Sequence, residues 1–549
     1  MKILSAAQMR EVDLLTSEER GISSLTLMEN AGAAVAGVCA KQFPHLASRR
    51  IVVLCGKGNN GGDALVAARH LRAMGACADV WLLAKAEELH GDAAINRDKW
   101  LACGGEMRIV SNGMEWNDVR DALDRAQILV DGIFGTGFRG PVEGWLAQVI
   151  DHVNALRPGA LIVAVDMPSG LPSDTGGVTG PVIRADYTVT FTAPKRGQFL
   201  GRAADYVGLL HVAEIGSPAE LVDSISVAEK SSGGAVTPMW RWLDPREFAA
   251  LPFRRPPDGN KGKYGHVLVV AGSRGKSGAA VLSGTAALRA GAGLVTVATA
   301  ESVQPIVAGA LAELMTVPLA CTGSGSISLD ALRQFEELVK GKSVVAIGPG
   351  LGTEAETQEV VQRIVHSCAL PLVLDADGLN AFAGRSDERA DERAGELRDH
   401  AAPFLVVTPH PGEMARLVGC SIADVQSNRI EIAMRYAGEW NAWVVLKGYL
   451  TVVASPDGRV WINSTGNPGM ATGGTGDVLT GMVGGMVAQF GAEMDRERLA
   501  QAITLGVYLH GLAGDIAADE TGEGPLIASD VVRSIPRAWR QVQIELEHG

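Results

Sequence analysis

The stretch NPGMATGGTGDVLTG (467–481) sets Gly469, Gly473, Gly474, Gly476 and Gly481 around one acid, Asp477, and then becomes apolar. Glycines ahead of a helix aim backbone N–H groups at an anion. A carboxylate at the rim of such a cradle repels the anion, so Asp477 must answer to a different chemistry.

The first half of the chain carries three more loops of this kind. GKGNNGGD (56–63) fits GxGxxG through Gly56, Gly58 and Gly61, between a strand candidate and a helix candidate. Asn59, Asn60 and Asp63 add side-chain polar groups to the loop. The Asn60 oxygen can bind a cation, and Asp63 repels a bare pyrophosphate unless it meets a hydroxyl or a sugar. LVDGIFGTGFRG puts Asp131 at a strand end, followed by Gly135, Gly137, Arg139 and Gly140, with Arg139 the natural phosphate contact. VAVDMPSGL puts Asp166 at another strand end, with Ser169 shortly after. A single Asp in such a place is more often a loop cap. Three polar, glycine-rich loops at strand ends make one composite site.

The second half holds GPGLG (348–352), DADGLNAF (375–382), TPHPGEMARL (408–417), VLKGYLT (445–451) and the glycine-rich stretch already described. It also holds a decoy. Gly275-Lys276-Ser277 looks like the end of a P-loop, but the position that needs the first glycine is Val270, so a P-loop NTPase is rejected.

These loops need strands to carry them. Short β-branched runs alternate with Ala-rich helical stretches throughout: 51–55, 78–83, 128–134, 161–166 and 187–193 in the first half. In the second half they are 266–272, 294–300, 343–348, 370–376, 404–409, 442–448 and 450–455. Near-continuous apolar strands between helices indicate parallel sheets covered on both faces. The Ser, Gly and Pro clusters of 215–240 place a boundary near residue 230, giving domains 1–230 and 231–549. The charge run 384–400 reads as a solvated insertion.

Bulk composition narrows the class. A chain of 549 residues exceeds one ordinary core, and 47% apolar with 20% charged residues suits a folded protein. No run approaches the roughly 18 apolar residues of a spanning helix, and the N-terminus turns charged too early for a signal peptide. A net charge of −13 argues against nucleic acid or an anionic membrane as partner. Cys39, Cys55, Cys77, Cys103, Cys321, Cys368 and Cys420 form no CxxC pair, which suits reduced thiols in a cytoplasm.

LMENAG (27–32), GNNGGD, DGIFGTGFRG, DMPSG and TFTAPKRG (190–197), in this order, resemble the NAD(P)H-hydrate epimerase domain over roughly residues 1–215. The resemblance implies a Rossmann-like three-layer α/β sandwich that binds the hydrated nucleotide and a potassium ion. The nucleotide contacts would be Asn59, Asn60, Gly61, Gly62 and Asp63; Gly135, Thr136, Gly137, Phe138, Arg139, Gly140 and Pro141; and Asp166, which would also be catalytic. The ion ligands would be Asn60, Asp131 and Ser169, oxygen donors suited to a hard cation.

The second-half set, with KGKYGHVLVVAGS ahead of it, resembles the ribokinase-like fold and, within it, the ADP-dependent NAD(P)H-hydrate dehydratase, over roughly 240–540. This implies a second three-layer α/β sandwich. The hydrate would lie near Ala280, Gly352, His410 and Asp477, and the adenine nucleotide on Lys447, Gly448, Tyr449, Leu450, Thr451 and Gly476. Gly473 to Gly476 can then turn N–H groups on a phosphoryl group in transit, at the positive end of a helix starting near Val478. Asp477 sits where the acceptor hydroxyl loses its proton, as a general base. Mg2+ is expected to bridge the nucleotide phosphates. A homo-oligomer is expected from the same resemblance. Two other readings stay open. One is a small-molecule kinase with an N-terminal nucleotide sensor. The other is a binding scaffold, because epimerase-like domains also occur in RNA-decapping scaffolds; the intact NNGGD and Asp166 count against it.

Overall fold

The computed structural model describes residues 1–225, 239–384, 394–491 and 495–548. The chain divides into two compact units, Met1–Thr237 and Pro238–Gly549. The expected boundary near residue 230 lies outside the described residues, as does much of the charged run 384–400.

The first unit is built on β1 (Arg50–Cys55), β2 (Cys77–Leu82), β3 (Met107–Ile109), β4 (Ile128–Gly132), β5 (Leu161–Val165), β6 (Tyr187–Phe191) and β7 (Leu209–Ala213). They run in the order β3-β2-β1-β4-β5-β6-β7, and every pairing is parallel. Alternate residues of β1 enter opposite cores: Ile51, Val53 and Cys55 one, Val52 and Leu54 the other. Burial on both faces is why the strand is apolar throughout. The order reverses between β1 and β4, which opens a crevice at their carboxyl ends.

The second unit contains β8 (Trp240–Trp242), β9 (His266–Val270), β10 (Leu294–Ala300), β11 (Met315–Leu319), β12 (Val344–Ile347), β13 (Leu372–Leu374), β14 (Leu405–Val407), β15 (Trp443–Leu446), β16 (Val452–Ala454) and β17 (Val460–Ile462). Their order is β11-β10-β9-β12-β13-β14-β15-β16-β17-β8. This sheet is not wholly parallel, as the sequence reading expected: β16 runs antiparallel to both β15 and β17. The reason is length. Residues 447–451 and 455–459 are too few for a crossover and only allow hairpins. Helices Ser277–Arg289, Thr475–Phe490, Arg496–Thr521 and Ala528–His548 cover one large core, with Val267, Val269, Ala346, Met482 and Val483 at its centre.

Each unit closes its own sheet and core, so each is expected to fold alone. Residues 1–237 and 238–549, made separately, should each show one cooperative thermal transition by calorimetry. Loss of cooperativity in both pieces, with the whole chain still folded, would refute the division.

Candidate functional site

In the first unit the expected loops converge at the carboxyl ends of β1, β4 and β5. NNGGD is not a loop, however: it is the first turn of helix Asn59–Ala73, with Gly58 as its N-cap. The turn is tight enough to demand glycine. A Cβ on Gly61 would sit 1.9 Å from the Gly56 carbonyl oxygen, and one on Gly56 would sit 2.0 Å from that of Ile133. Asn59 to Asp63 thus face the crevice from a helix N-terminus, where backbone donors collect.

Asn60, Asp131 and Ser169 come together around Phe134. Asn60 Nδ2 donates to the Phe134 carbonyl at 3.0 Å, and Ser169 Oγ accepts from Phe134 N at 2.9 Å. Asp131 is wholly buried in β4 and accepts from Ser169 Oγ at 2.6 Å and Ser169 N at 2.8 Å. Burial pushes its carboxyl up to about 6, against the pull of those Ser169 donors. Arg139 turns back onto its own loop. Its guanidinium donates to the Thr136 and Phe138 carbonyls at 2.9 Å and stands 3.8 Å from Asp174. Gly135, Gly137, Gly140 and Pro141 belong to the same connection after β4.

Asp166 follows β5 directly and adopts φ +62°, a conformation that Asp tolerates better than most residues. Its N–H donates to Val189 O at 2.8 Å, and Gln198 Nε2 donates to its carbonyl at 2.9 Å. Its carboxylate meets a residue to which the sequence reading gave no role: Lys195, 1% exposed, whose Nζ lies 2.5 Å from Asp166 Oδ1, 2.9 Å from Thr190 Oγ1 and 3.0 Å from Phe191 O. Two more acids share this pocket. Burial, with Asp166 and Asp13 nearby, raises Asp63 well above the usual carboxylate range. Burial also raises Asp13 to about 6, with Lys195 opposing and Asp166 adding, and Asp13 Oδ1 is buried without a hydrogen-bond partner. Asp13 comes from helix Ala6–Arg20, pinned there by the pairing of Leu4 with Lys195.

In the second unit the carboxyl ends of the neighbouring strands β9, β12, β13, β14 and β15 supply the site. Ala280 lies buried in the helix after β9. Gly352 follows β12 at φ +94°, and its N–H donates to Asp377 Oδ2 at 2.8 Å, an oxygen shared with Lys276 Nζ at 2.9 Å. His410 caps helix Pro411–Val418: its Nδ1 accepts from Gly412 N at 3.0 Å. In the neutral ring the proton therefore sits on Nε2. Burial lowers the His410 pKa, with Glu413 opposing. Lys447 follows β15, and Gly448 (φ +136°) and Leu450 (φ +51°) make the abrupt turn that includes Tyr449 and Thr451.

Helix Thr475–Phe490 starts three residues earlier than expected, with Gly474 at φ +95° as N-cap, because a left-handed cap needs glycine. Asp477 therefore lies inside its first turn. The half-buried His510, with its pKa lowered by desolvation to about 4, donates from Nε2 to the Thr475 carbonyl at 2.9 Å and steadies this turn. Asp375 was quoted within a motif but given no role. It is 1% exposed, accepts from Lys447 Nζ at 2.7 Å and from Thr480 Oγ1 at 2.5 Å, and joins the strand end to the helix. Burial first, then Asp375, pushes Asp477 up to about 6; Lys447 opposes, while Asp377 and Glu413 add.

Two α/β sheets, each with polar strand-end loops and a buried lysine–carboxylate pair, define a two-module enzyme of nucleotide type. Residues 24–197 match the family described as YjeF-related protein N-terminus, and residues 267–537 match NAD(P)H-hydrate dehydratase. A bifunctional NAD(P)H-hydrate repair enzyme of Moorella thermoacetica is 44% identical, with 100% of this chain and 98% of the relative covered. One from Escherichia coli K12 is 37% identical, covering 94% and 90%. A solved ADP/ATP-dependent NAD(P)H-hydrate dehydratase of Bacillus subtilis, co-crystallised with ATP/Mg2+, is 32% identical over 55% of this chain and 98% of its own, at a TM-score of 0.46. The chain belongs to the family of bifunctional NAD(P)H-hydrate repair enzymes.

A raised carboxylate pKa weakens the fold as pH rises from the unfolded value of 3.8 through about 6, because the folded state must then give up its proton. Asp13→Asn removes that loss. The variant should be more stable than the parent at pH 7.5, with the gain disappearing near pH 4, by urea denaturation at both. Equal stability at both pH values would show that Asp13 is not strained by ionisation.

Proposed function

We propose that this chain restores hydrated NADH and NADPH in two steps. The first unit interconverts the R and S epimers at C6, and the second dehydrates the S epimer with ADP. The observation that carries this reading is that each matched region holds its own carboxylate near a lysine: Asp166 at a strand end beside Lys195, and Asp477 in a helix first turn near Lys447. Two independent proton-handling sites suit two reactions on one metabolite.

In the first unit Asp166 exchanges a proton with the C6 hydroxyl or with water. Asn59 to Asp63 and Gly135 to Pro141 hold the nucleotide. Asn60, Asp131 and Ser169 fit a potassium ion: the buried Asp131 carboxylate accepts from Ser169 and Ile133 N, Asn60 and Ser169 both bond the Phe134 backbone beside it, and among the described residues no basic side chain is bonded to that carboxylate. The ion would supply the counter-charge and order the loops after β4 and β5.

In the second unit the N-terminus of helix Thr475–Phe490 receives the phosphoryl group. Asp477 takes the C6 hydroxyl proton as that oxygen bonds to the β-phosphorus of ADP and the bond to AMP breaks. Phosphate then leaves C6, a proton leaves C5, and the dihydronicotinamide double bond returns. Mg2+ bound with the nucleotide would offset the charge that develops on its phosphates. Ala280, Gly352 and His410 line the hydrate's place, His410 offering a ring N–H. The seven cysteines are all free, which supports a cytoplasmic site of action. Among the described residues no helix is long and apolar enough to cross a membrane. A homo-oligomer is part of the same proposal.

The direct test gives the protein both hydrate epimers with and without ADP and follows recovery of reduced-nicotinamide absorbance. Full recovery with ADP, and only epimer exchange without it, is expected; a stable phosphorylated product would indicate a kinase instead. Asp166→Asn should abolish epimer exchange and leave dehydration of the S epimer intact, read by chromatography of the two epimers. Asp477→Asn should lower dehydration by about two to four orders of magnitude, the range for loss of a general base. ADP affinity in calorimetry should hold or tighten slightly, since a repelling charge is gone. Activity that merely tracks lost ADP binding would make Asp477 structural.

A further inference from the structure

Asp375 and Lys447 stand out as charged groups whose contacts go beyond nucleotide binding. Lys447 Nζ is fixed at 2.7 Å from Asp375 Oδ1 and 3.7 Å from Glu413 Oε2. The other Asp375 oxygen accepts from Thr480, on the helix that carries Asp477. Gly476 leaves the room for this: a Cβ there would lie 3.3 Å from Lys447 Nζ and 3.8 Å from Asp375 Oδ2. The ammonium and its carboxylate thus occupy the notch next to Asp477.

We propose that Asp375 is a positioning residue for the dehydration: it holds the Lys447 ammonium against the first turn of helix Thr475–Phe490, and the two opposite charges together set the protonation of the base Asp477. This rests on the reading of Asp477 as general base. The other ionisable groups around Asp477 are Asp377, itself paired with Lys276, and Glu413, beside His410; His510 supports the turn from behind. Burial pulls the Lys447 pKa down, but Asp375 and Glu413 outweigh it, so the lysine stays charged. One cation thus works against several anions, and removing either member of the pair moves Asp477 in a known direction.

The experiment is the pH profile of kcat for ADP-dependent dehydration in the full-length protein. Activity should rise with pH through the Asp477 ionisation. Asp375→Asn removes a negative neighbour, so its rising limb should move to lower pH by roughly one unit. Lys447→Met removes the positive neighbour, so its limb should move to higher pH by a similar, roughly one-unit step. Both should lose at least about tenfold in kcat at the parent's optimum, the lower end of positioning effects. A residue that only shapes the loop would lower kcat at every pH and leave the limb in place. Limbs that stay put, or move the same way in both variants, overturn the proposal. Thr480→Val keeps all the charges and should leave the limb unmoved; a limb displaced by that change also overturns it. If Asp375→Asn does not fold, Lys447→Met and Thr480→Val still decide. Failure of the underlying reading looks different: Asp477→Asn would then keep dehydration, or the parent would show none.

Discussion

A carboxylate at the carboxyl end of a buried strand cannot shed its charge into water, and the answer in both units is a lysine of low exposure. Lys195 holds Asp166 at 2.5 Å, and Lys447 holds Asp375 at 2.7 Å. Such pairs gain little net stability, because desolvation offsets attraction; breaking one costs about 3–5 kcal/mol by stranding the other charge. Their value here is geometric. Lys195 reaches across from the adjacent strand end, β6, and Lys447 from β15, with β14 between it and Asp375, so each pair fixes the distance between two loops that must act together. In the first unit the tie is reinforced by Thr190 and Gln198, in the second by Thr480.

Around these ties the remaining acids are left deliberately short of counter-charge. Asp13, Asp63, Asp131 and Asp477 all sit above the ordinary carboxylate range, chiefly through burial. An acid with a pKa near 6 can be either proton donor or acceptor close to neutral pH, which is the property proton transfer needs. Close backbone packing makes the arrangement possible. Where Gly56 and Gly61 leave no side chain, backbone groups come nearer to one another than any other residue would permit, and Gly476 leaves room for the Lys447 ammonium, 3.3 Å from where a Cβ would sit.

The interior of both sheets was legible in the sequence; their margins were not. The overlooked strands β3, β7, β8 and β11 are the four edge strands of the two sheets. Met107–Ile109 and Leu209–Ala213 are mostly half-exposed or exposed, and Met315–Leu319 includes a proline. An edge strand with one wet face lacks the unbroken apolar run that marks a buried one. The short β17 was missed for a different reason: three residues between a turn and a polar loop carry too little pattern. The site shows the same division. Glycine-rich loops announced themselves, and Asp166 and Asp477 with them. Lys195 and Asp13 did not, because a lysine after a strand or an acid on a helix has no local signature, and Asp375 stood in the DADGLNAF stretch with nothing local to say what it would hold. Their partners lie far along the chain, and only the folded pairing of β5 with β6, or of β13 and β15 with β14 between them, brings the loops into range.

The strand β8 has a temporal meaning as well as a spatial one. Trp240–Trp242 pairs in parallel with Val460–Ile462, so the first strand of the second unit waits for the last one described. On the ribosome the first unit can close its sheet from consecutive segments, since β7 joins β6 soon after both emerge. The second unit cannot. Its opening strand stays an unmatched edge until residues around 460 have been made, and an unmatched edge invites the wrong neighbour. Trp240, Arg241 and Trp242 are therefore the segment most in need of protection while the chain is still growing.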